Sequence, residues 1–257
     1  MGCRDNTSMG GSDQAFHTTH WTEILSARTA NEEHRRQALD TIFSRYWKPI
    51  YCYIRHRGWD NEDAKDLTQG FLEEVFLGRD LVQRADPAKG KFRTFLLTAL
   101  QRYIASAVRK EKAKKRSPGN GLVSLDGTDV PNPMEPWPGT TPEQAFDRAW
   151  ASALLDKVLD DLEGRCAADG KETHWAVFSA RVLQPIMEGI EPPSLSELCS
   201  VHDIPNEEQA SNMIVTVKRR FRACLEQHVR QDVNSDAAVG EEIGDLVAVL
   251  SGSSAGP

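Results

Sequence analysis

Residues 63–72, Asp63-Ala-Lys-Asp-Leu-Thr-Gln-Gly-Phe-Leu72, decide how the chain is read. Asp63, Asp66 and Gln69 recur every three residues. On a helix they lie along one side, while Leu67, Phe71 and Val75 face another. Apolar residues recur at the same three- and four-residue spacing through most of the chain, and alternating β-branched runs are missing. The expected fold class is therefore all-α.

Working outward, Trp21, Ile24 and Leu25 mark a short helix over 18–29. A longer one is expected over 32–57, with Leu39, Ile42, Phe43, Tyr46, Ile50, Tyr53 and Ile54 as its apolar stripe and a kink at Pro49. Gly58 ends it, and Asp60 or Asn61 caps the next helix, which runs to about Leu77. A loop over 86–90 leads into a basic helix, 91–115. Five prolines (Pro118, Pro131, Pro133, Pro136, Pro138) and several glycines then make 117–141 an acidic linker.

The chain resumes cleanly at Thr141-Pro-Glu-Gln144, a capping box with proline at the first helical position, opening a helix to Glu163. A second helix is expected over 172–188, and Ser194-Leu-Ser-Glu197 is another capping box. A tight turn at 203–206 separates that short helix from a long basic one, 207–230, the helix-turn-helix pattern. The plan is two helical domains, 18–116 and 142–231, joined by the Pro/Gly-rich linker. Residues 1–17 are expected to be disordered. The tail, 232–257, holds five acids and no Lys or Arg, and reads as either disordered or a small docking helix.

A chain of 257 residues with 27% charged residues suits a soluble, helix-rich protein of one large or two small domains. No apolar run approaches the roughly 20 residues that span a bilayer, and 1–14 lacks the apolar core of a signal peptide, so membrane insertion is not expected and a cytoplasmic location is. Cys3, Cys52, Cys166, Cys199 and Cys224 are scattered without a C-x-x-C pair, which favours reduced thiols over a zinc site or disulfide; no metal or cofactor is expected. No phosphate-cradling glycine loop, H-E-x-x-H or nucleophile elbow is present, so no enzymatic activity is expected.

The net charge of −7 argues against indiscriminate nucleic-acid binding, yet positive charge is concentrated locally. Lys89, Lys91, Arg93, Arg102, Arg109, Lys110, Lys112, Lys114, Lys115 and Arg116 face one acid, Glu111, with Phe92, Phe95 and Tyr103 interleaved. Cations engage phosphates, and aromatic faces stack unpaired bases at about 1–3 kcal/mol each. A solvated basic helix with core aromatics is the plainer alternative. The acidic face of 63–69 likewise reads either as a docking surface for a basic partner or as a solvated face suited to a helix N-terminus. In the C-terminal helix, Lys218, Arg219, Arg220 and Arg222 suit backbone phosphates. Base reading falls to its first turns: Asn206, Glu207, Glu208, Gln209, Ser211 and Asn212. Glutamate can accept from cytosine N4, and capping of the helix is the other reading of the two acids.

With these residues in view, 63–72 resembles the acidic D-A-x-D-L-x-Q signature of region 2.2 in extracytoplasmic-function (ECF) sigma factors of bacterial RNA polymerase, of the sigma-70 superfamily. Lys89-Gly-Lys-Phe-Arg-Thr-Phe-Leu-Leu-Thr-Ala-Leu100 is similar to regions 2.3 and 2.4, and the C-terminal module to region 4. Arg102 and Ser106 stand where the family often has Asn and Asp, and Ile204-Pro-Asn-Glu-Glu208 replaces its common region 4 spelling. The resemblance implies that Asp63, Asp66, Leu67, Gln69 and Phe71 bind the β′ clamp helices of core polymerase. It implies that Lys91, Phe92, Arg93, Arg102, Tyr103, Ser106, Arg109 and Lys110 capture and melt the minus-ten element. Residues 206–222 would then read the minus-thirty-five element beside the β flap, with the acidic linker in the RNA-exit path. An anti-sigma factor or a regulatory kinase is an implied restraint. Association with the nucleoid in holoenzyme is implied too. The rivals are a stand-alone helix-turn-helix regulator and an adaptor protein. Whether the acidic tail is regulatory stays open, contact with the basic helix being a testable idea.

Overall fold

The computed structural model describes residues 32–73, 91–115, 139–230 and 236–251. These hold α1 (Glu32–His56), α2 (Asn61–Phe71), α3 (Phe92–Lys115), α4 (Pro142–Ala168), α5 (Glu172–Phe178), α6 (Gln184–Glu188), α7 (Leu195–His202), α8 (Glu207–Arg230) and α9 (Asp236–Leu250). No strand occurs among the described residues, as the apolar spacing predicts. None of the helices is long and apolar enough to cross a membrane. The expected helix over 18–29 and most of the 117–141 linker lie outside the described residues.

Two compact units share the chain. In the first, α1, α2, α3, the start of α4 (to Ala153) and α9 come together. The stripe expected on α1 is buried where it is described: Tyr46, Ile50, Tyr53 and Ile54 are in the core, and Phe43 is half-buried. Phe92, Leu96, Leu100 and Ile104 of α3 and Ala145, Phe146, Ala149 and Trp150 of α4 are buried in the same unit. Tyr46 carries much of the aromatic contact, edge-on to Phe92 at 5.6 Å and stacked with Phe146 at 6.4 Å. Such ring pairs add about 0.5–1.5 kcal/mol beyond the area they bury. Gly58, with φ 92°, supplies the left-handed turn after α1.

The second unit covers 154–229. Leu162, Cys166, Val177, Phe178, Leu198, Ile204, Ala210, Ile214 and Val217 form its core. The division between units falls inside α4 at 153/154, whereas the sequence places a boundary in the linker. The helix expected over 172–188 contains a π-helical segment, Ser179–Leu183, between α5 and α6. Pro185 gives the reason. Its ring would collide with the carbonyl four residues back in a regular α-helix, and a widened turn avoids that. The tail resolves toward the docking alternative: α9 is a helix of the first unit, with Val239, Glu242 and Leu246 buried.

Candidate partner and nucleic-acid interfaces

The acidic face begins at a cap. Asp60 is the N-cap of α2, and its Oδ1 accepts the Asp63 backbone N–H at 2.8 Å. Asp63, Asp66 and Gln69 are exposed along the helix, as their spacing predicts. Gln69 Nε2 donates to Glu73 Oε1 at 2.9 Å, and Lys65 pairs with Glu62 at 3.0 Å. Leu67 is half-buried. Phe71 corrects the expectation that it meets a partner: it is 0% exposed, in a stripe with Ala64 and Thr68, and stands edge-on to Tyr103 at 5.5 Å. Spacings of four and three put these three residues on the inward side, so Phe71 braces the acidic face from beneath.

The basic helix shows the same partition. Phe92, 6% exposed, starts the inward stripe of Leu96, Leu100 and Ile104 and is no base-stacking platform. Phe95 is half-buried, tilted against Phe92 at 6.2 Å. Tyr103 is half-buried beside α2. On the outward side, Arg102, Arg109 and Lys110 are exposed and Ser106 is half-buried. Positions 102, 106 and 109 share one face by helical spacing, and Arg109 Nε donates to the Ala105 carbonyl at 3.1 Å.

Lys91 and Arg93, expected to hold phosphates, are instead engaged by α9. Arg93 Nη1 donates to Glu242 Oε1 at 2.7 Å and Arg93 Nη2 to Asp245 Oδ2 at 3.0 Å. The Lys91 ammonium lies against both carboxylates. Arg93 also covers the Trp150 ring, 4.4 Å from its centroid, and comes to 4.0 Å from Asp147. Burial pulls the Lys91 ammonium down, but its bonds to Asp245 and Glu242 outweigh this and leave its pKa raised. The bond from Lys91 draws Asp245 down.

In the second unit a tight turn, 203–206, joins α7 to α8. Ser194 Oγ accepts the Glu197 N–H at 3.2 Å while Glu197 Oε2 accepts the Ser194 N–H at 2.7 Å, the reciprocal cap that the sequence predicts. Those bonds from Ser194 hold the Glu197 carboxyl below its ordinary range. Asp203 ends α7 in the left-handed region (φ 53°), a conformation Asp tolerates, and the Ile204 N–H closes on the Cys199 carbonyl at 2.9 Å.

Asn206 Oδ1 accepts the Gln209 N–H at 2.9 Å, so this side chain caps α8. Glu207, Glu208, Gln209, Ser211 and Asn212 are exposed on the first turns, opposite buried Ala210 and Ile214. Lys218 and Arg219 are exposed too. Arg220 pairs with Asp169 at 2.7 Å and Arg222 with Glu226 at 2.9 Å.

One polar cluster has no sequence signal, because Asp161 stands more than sixty residues from Cys224 and His228. Asp161 Oδ2 accepts from His228 Nε2 at 3.0 Å and from the Cys224 thiol at 3.3 Å, and Arg165 holds both its oxygens at 3.0 and 2.9 Å. Donor atoms of Asp161, Cys224 and His228 lie within 4.8 Å of one another, near enough for one cation. Burial and the neighbouring Asp161 push the Cys224 thiol up to about 12, and Arg165 pairs with the same carboxylate at 2.9 Å. The cluster is a hydrogen-bonded tie between α4 and α8. Cys52 and Cys166 are likewise buried and are in no disulfide among the described residues.

These surfaces are an exposed acidic face on α2, an exposed basic face on α3, a Lys91–Arg93 pair under acidic cover, and the polar first turns of α8 after a short α7. Compared with known proteins, the chain matches no family model, no curated protein and no solved structure.

Proposed function

We propose that the chain is an alternative sigma factor of the ECF type, binding core RNA polymerase and directing promoter recognition and opening from the cytoplasm. The observation that carries this reading is the pairing of opposite charge on neighbouring helices of one unit. α2 exposes Asp63, Asp66 and Gln69; α3 exposes Arg102, Arg109 and Lys110; Phe71 and Tyr103 hold the two helices together. An acidic face fits the basic side of a protein partner, and a basic face fits the phosphates of a strand. Residues 63–72 carry the region 2.2-like sequence on that acidic face. Lys218 and Arg219 would hold phosphates in the second unit, with Gln209, Ser211 and Asn212 toward the bases.

The test is a pull-down of bacterial core RNA polymerase by the full chain, by Asp66→Arg and by Gln69→Ala. Stoichiometric capture by the wild type, lost on Asp66→Arg, is the expected result, with circular dichroism showing that the variant stays folded. A folded wild type that captures no polymerase overturns the reading. The stand-alone regulator would then be preferred, on the strength of the α7-turn-α8 geometry.

A further inference from the structure

The acids of α9 occupy the place where Lys91 and Arg93 would hold a phosphate. Glu242 is 3% exposed and Arg93 11%, so this is not a casual surface pairing. Arg93 is fixed on several sides: Glu242 and Asp245 on its two Nη atoms, the Trp150 ring under its guanidinium, and Asp147 near its Nε. Lys91 turns to the same two carboxylates of α9. Three carboxylates thus surround two cations. A phosphate entering there would meet a local excess of negative charge, and both cations already have anionic partners.

The feature is built into the helix. Val239, Glu242 and Leu246 follow one another at three- and four-residue spacing on the buried side of α9, and Asp245 sits beside them. The apolar residues seat the helix on the first unit, and the acids meet Lys91 and Arg93 from it. Val247 and Leu250 are exposed on the same helix, so its apolar surface is only partly used, and less area holds it down than a fully buried helix would have.

We infer that α9 is an intramolecular competitor for single-stranded nucleic acid: Glu242 and Asp245 stand in for two backbone phosphates at Lys91 and Arg93, and a strand reaches that pair only when α9 lets go. This rests on the nucleic-acid part of the proposed function. Arg102, Arg109 and Lys110 are exposed without α9 moving, so the free chain retains part of the basic face and loses the Lys91–Arg93 end of it. The device sets a threshold for strand capture without touching the acidic face of α2.

The experiment titrates a fluorescein-labelled single-stranded oligodeoxynucleotide with the full chain, with Asp245→Asn and with Glu242→Gln/Asp245→Asn, at several salt concentrations. Expected are binding on the order of ten-fold tighter for the double variant at low salt, and a salt dependence steeper by about 1.4 in log–log slope, the signature of two added phosphate contacts to a single strand. Adding Arg93→Ala to the double variant should erase most of the gain. A merely structural role for α9 would change thermal stability without steepening the salt slope. Asp245 is half exposed, so its single substitution keeps the test valid where loss of the buried Glu242 charge disturbs folding. Equal affinity and equal salt slope for wild type and Asp245→Asn, or no binding by any form, would overturn the inference. The polymerase pull-down then decides separately whether the proposed function falls with it.

Discussion

A Cβ added to Gly70 would lie 2.6 Å from the Tyr103 hydroxyl and 3.8 Å from the ring carbon that bears it. The glycine in the middle of α2 is thus explained by a neighbour on α3, at a cost of about 1 kcal/mol in helix propensity relative to alanine. Gly70→Ala in the wild-type background should be neutral to destabilising. In a Tyr103→Phe background, where the obstructing atom is gone, the same change should stabilise by about 0.5–1 kcal/mol. A double-mutant cycle by urea unfolding measures this, and an equal effect in both backgrounds would show that the hydroxyl is not what excludes a side chain. The exposed acids of α2 were legible one residue at a time because charge and spacing agree. Phe71 and Phe92 were not. An aromatic in a basic or acidic segment has the same letter whether it stacks on a base or fills a core, and only the neighbouring helix decides.

Among the helices, the capping chemistry was the most readable. Thr141 and Gln144 exchange backbone and side-chain bonds at 2.9 and 3.2 Å, and Ser194 with Glu197 does the same. Such motifs are local, so a sequence displays them whole. Replacing Ser194 by Ala removes the acceptor for the Glu197 N–H at the start of α7 and should cost about 1 kcal/mol. The loss should show as a lower midpoint in thermal unfolding of the full chain, with Ser194→Thr or Ser194→Asp restoring most of it. Glu197 contributes to that cap as the anion. Its pKa is held down in the fold, so its share is present above the ordinary carboxylate range and fades as pH falls through the lowered value. The π-helical segment before Pro185 was less legible. The expected helix over 172–188 runs through Pro185 uninterrupted, and a kink, a break and a widened turn all satisfy that proline's steric demand.

At the scale of the whole molecule, the charge segregation was visible in sequence and its consequence was not. A basic stretch over 89–116 and a tail with only acids are complementary, yet some 150 residues separate Lys91 and Arg93 from Glu242 and Asp245. Composition cannot say that such segments meet. Asp147 registers the crowding that results. Burial raises its pKa first, Arg93 opposes this, and the nearby Glu242 and Asp245 raise it further. A carboxyl whose pKa is raised in the fold favours the protonated form. Its favourable share of stability is therefore present below the ordinary carboxylate range and is lost as pH rises through the raised value. At neutral pH the ionised group opposes folding, because it adds a third negative charge to a site where two already face Lys91 and Arg93. Asp147→Asn keeps the shape and removes that charge. It should raise the thermal midpoint at pH 7 by an amount worth no more than about 1 kcal/mol, since the group is about a third exposed and its 4.0 Å pairing with Arg93 is surrendered. Near pH 3 the variant and the wild type should melt together. A variant less stable than wild type at pH 7 would mean that the Arg93–Asp147 attraction outweighs the repulsion from α9, and the balance of charge around Arg93 would have to be redrawn.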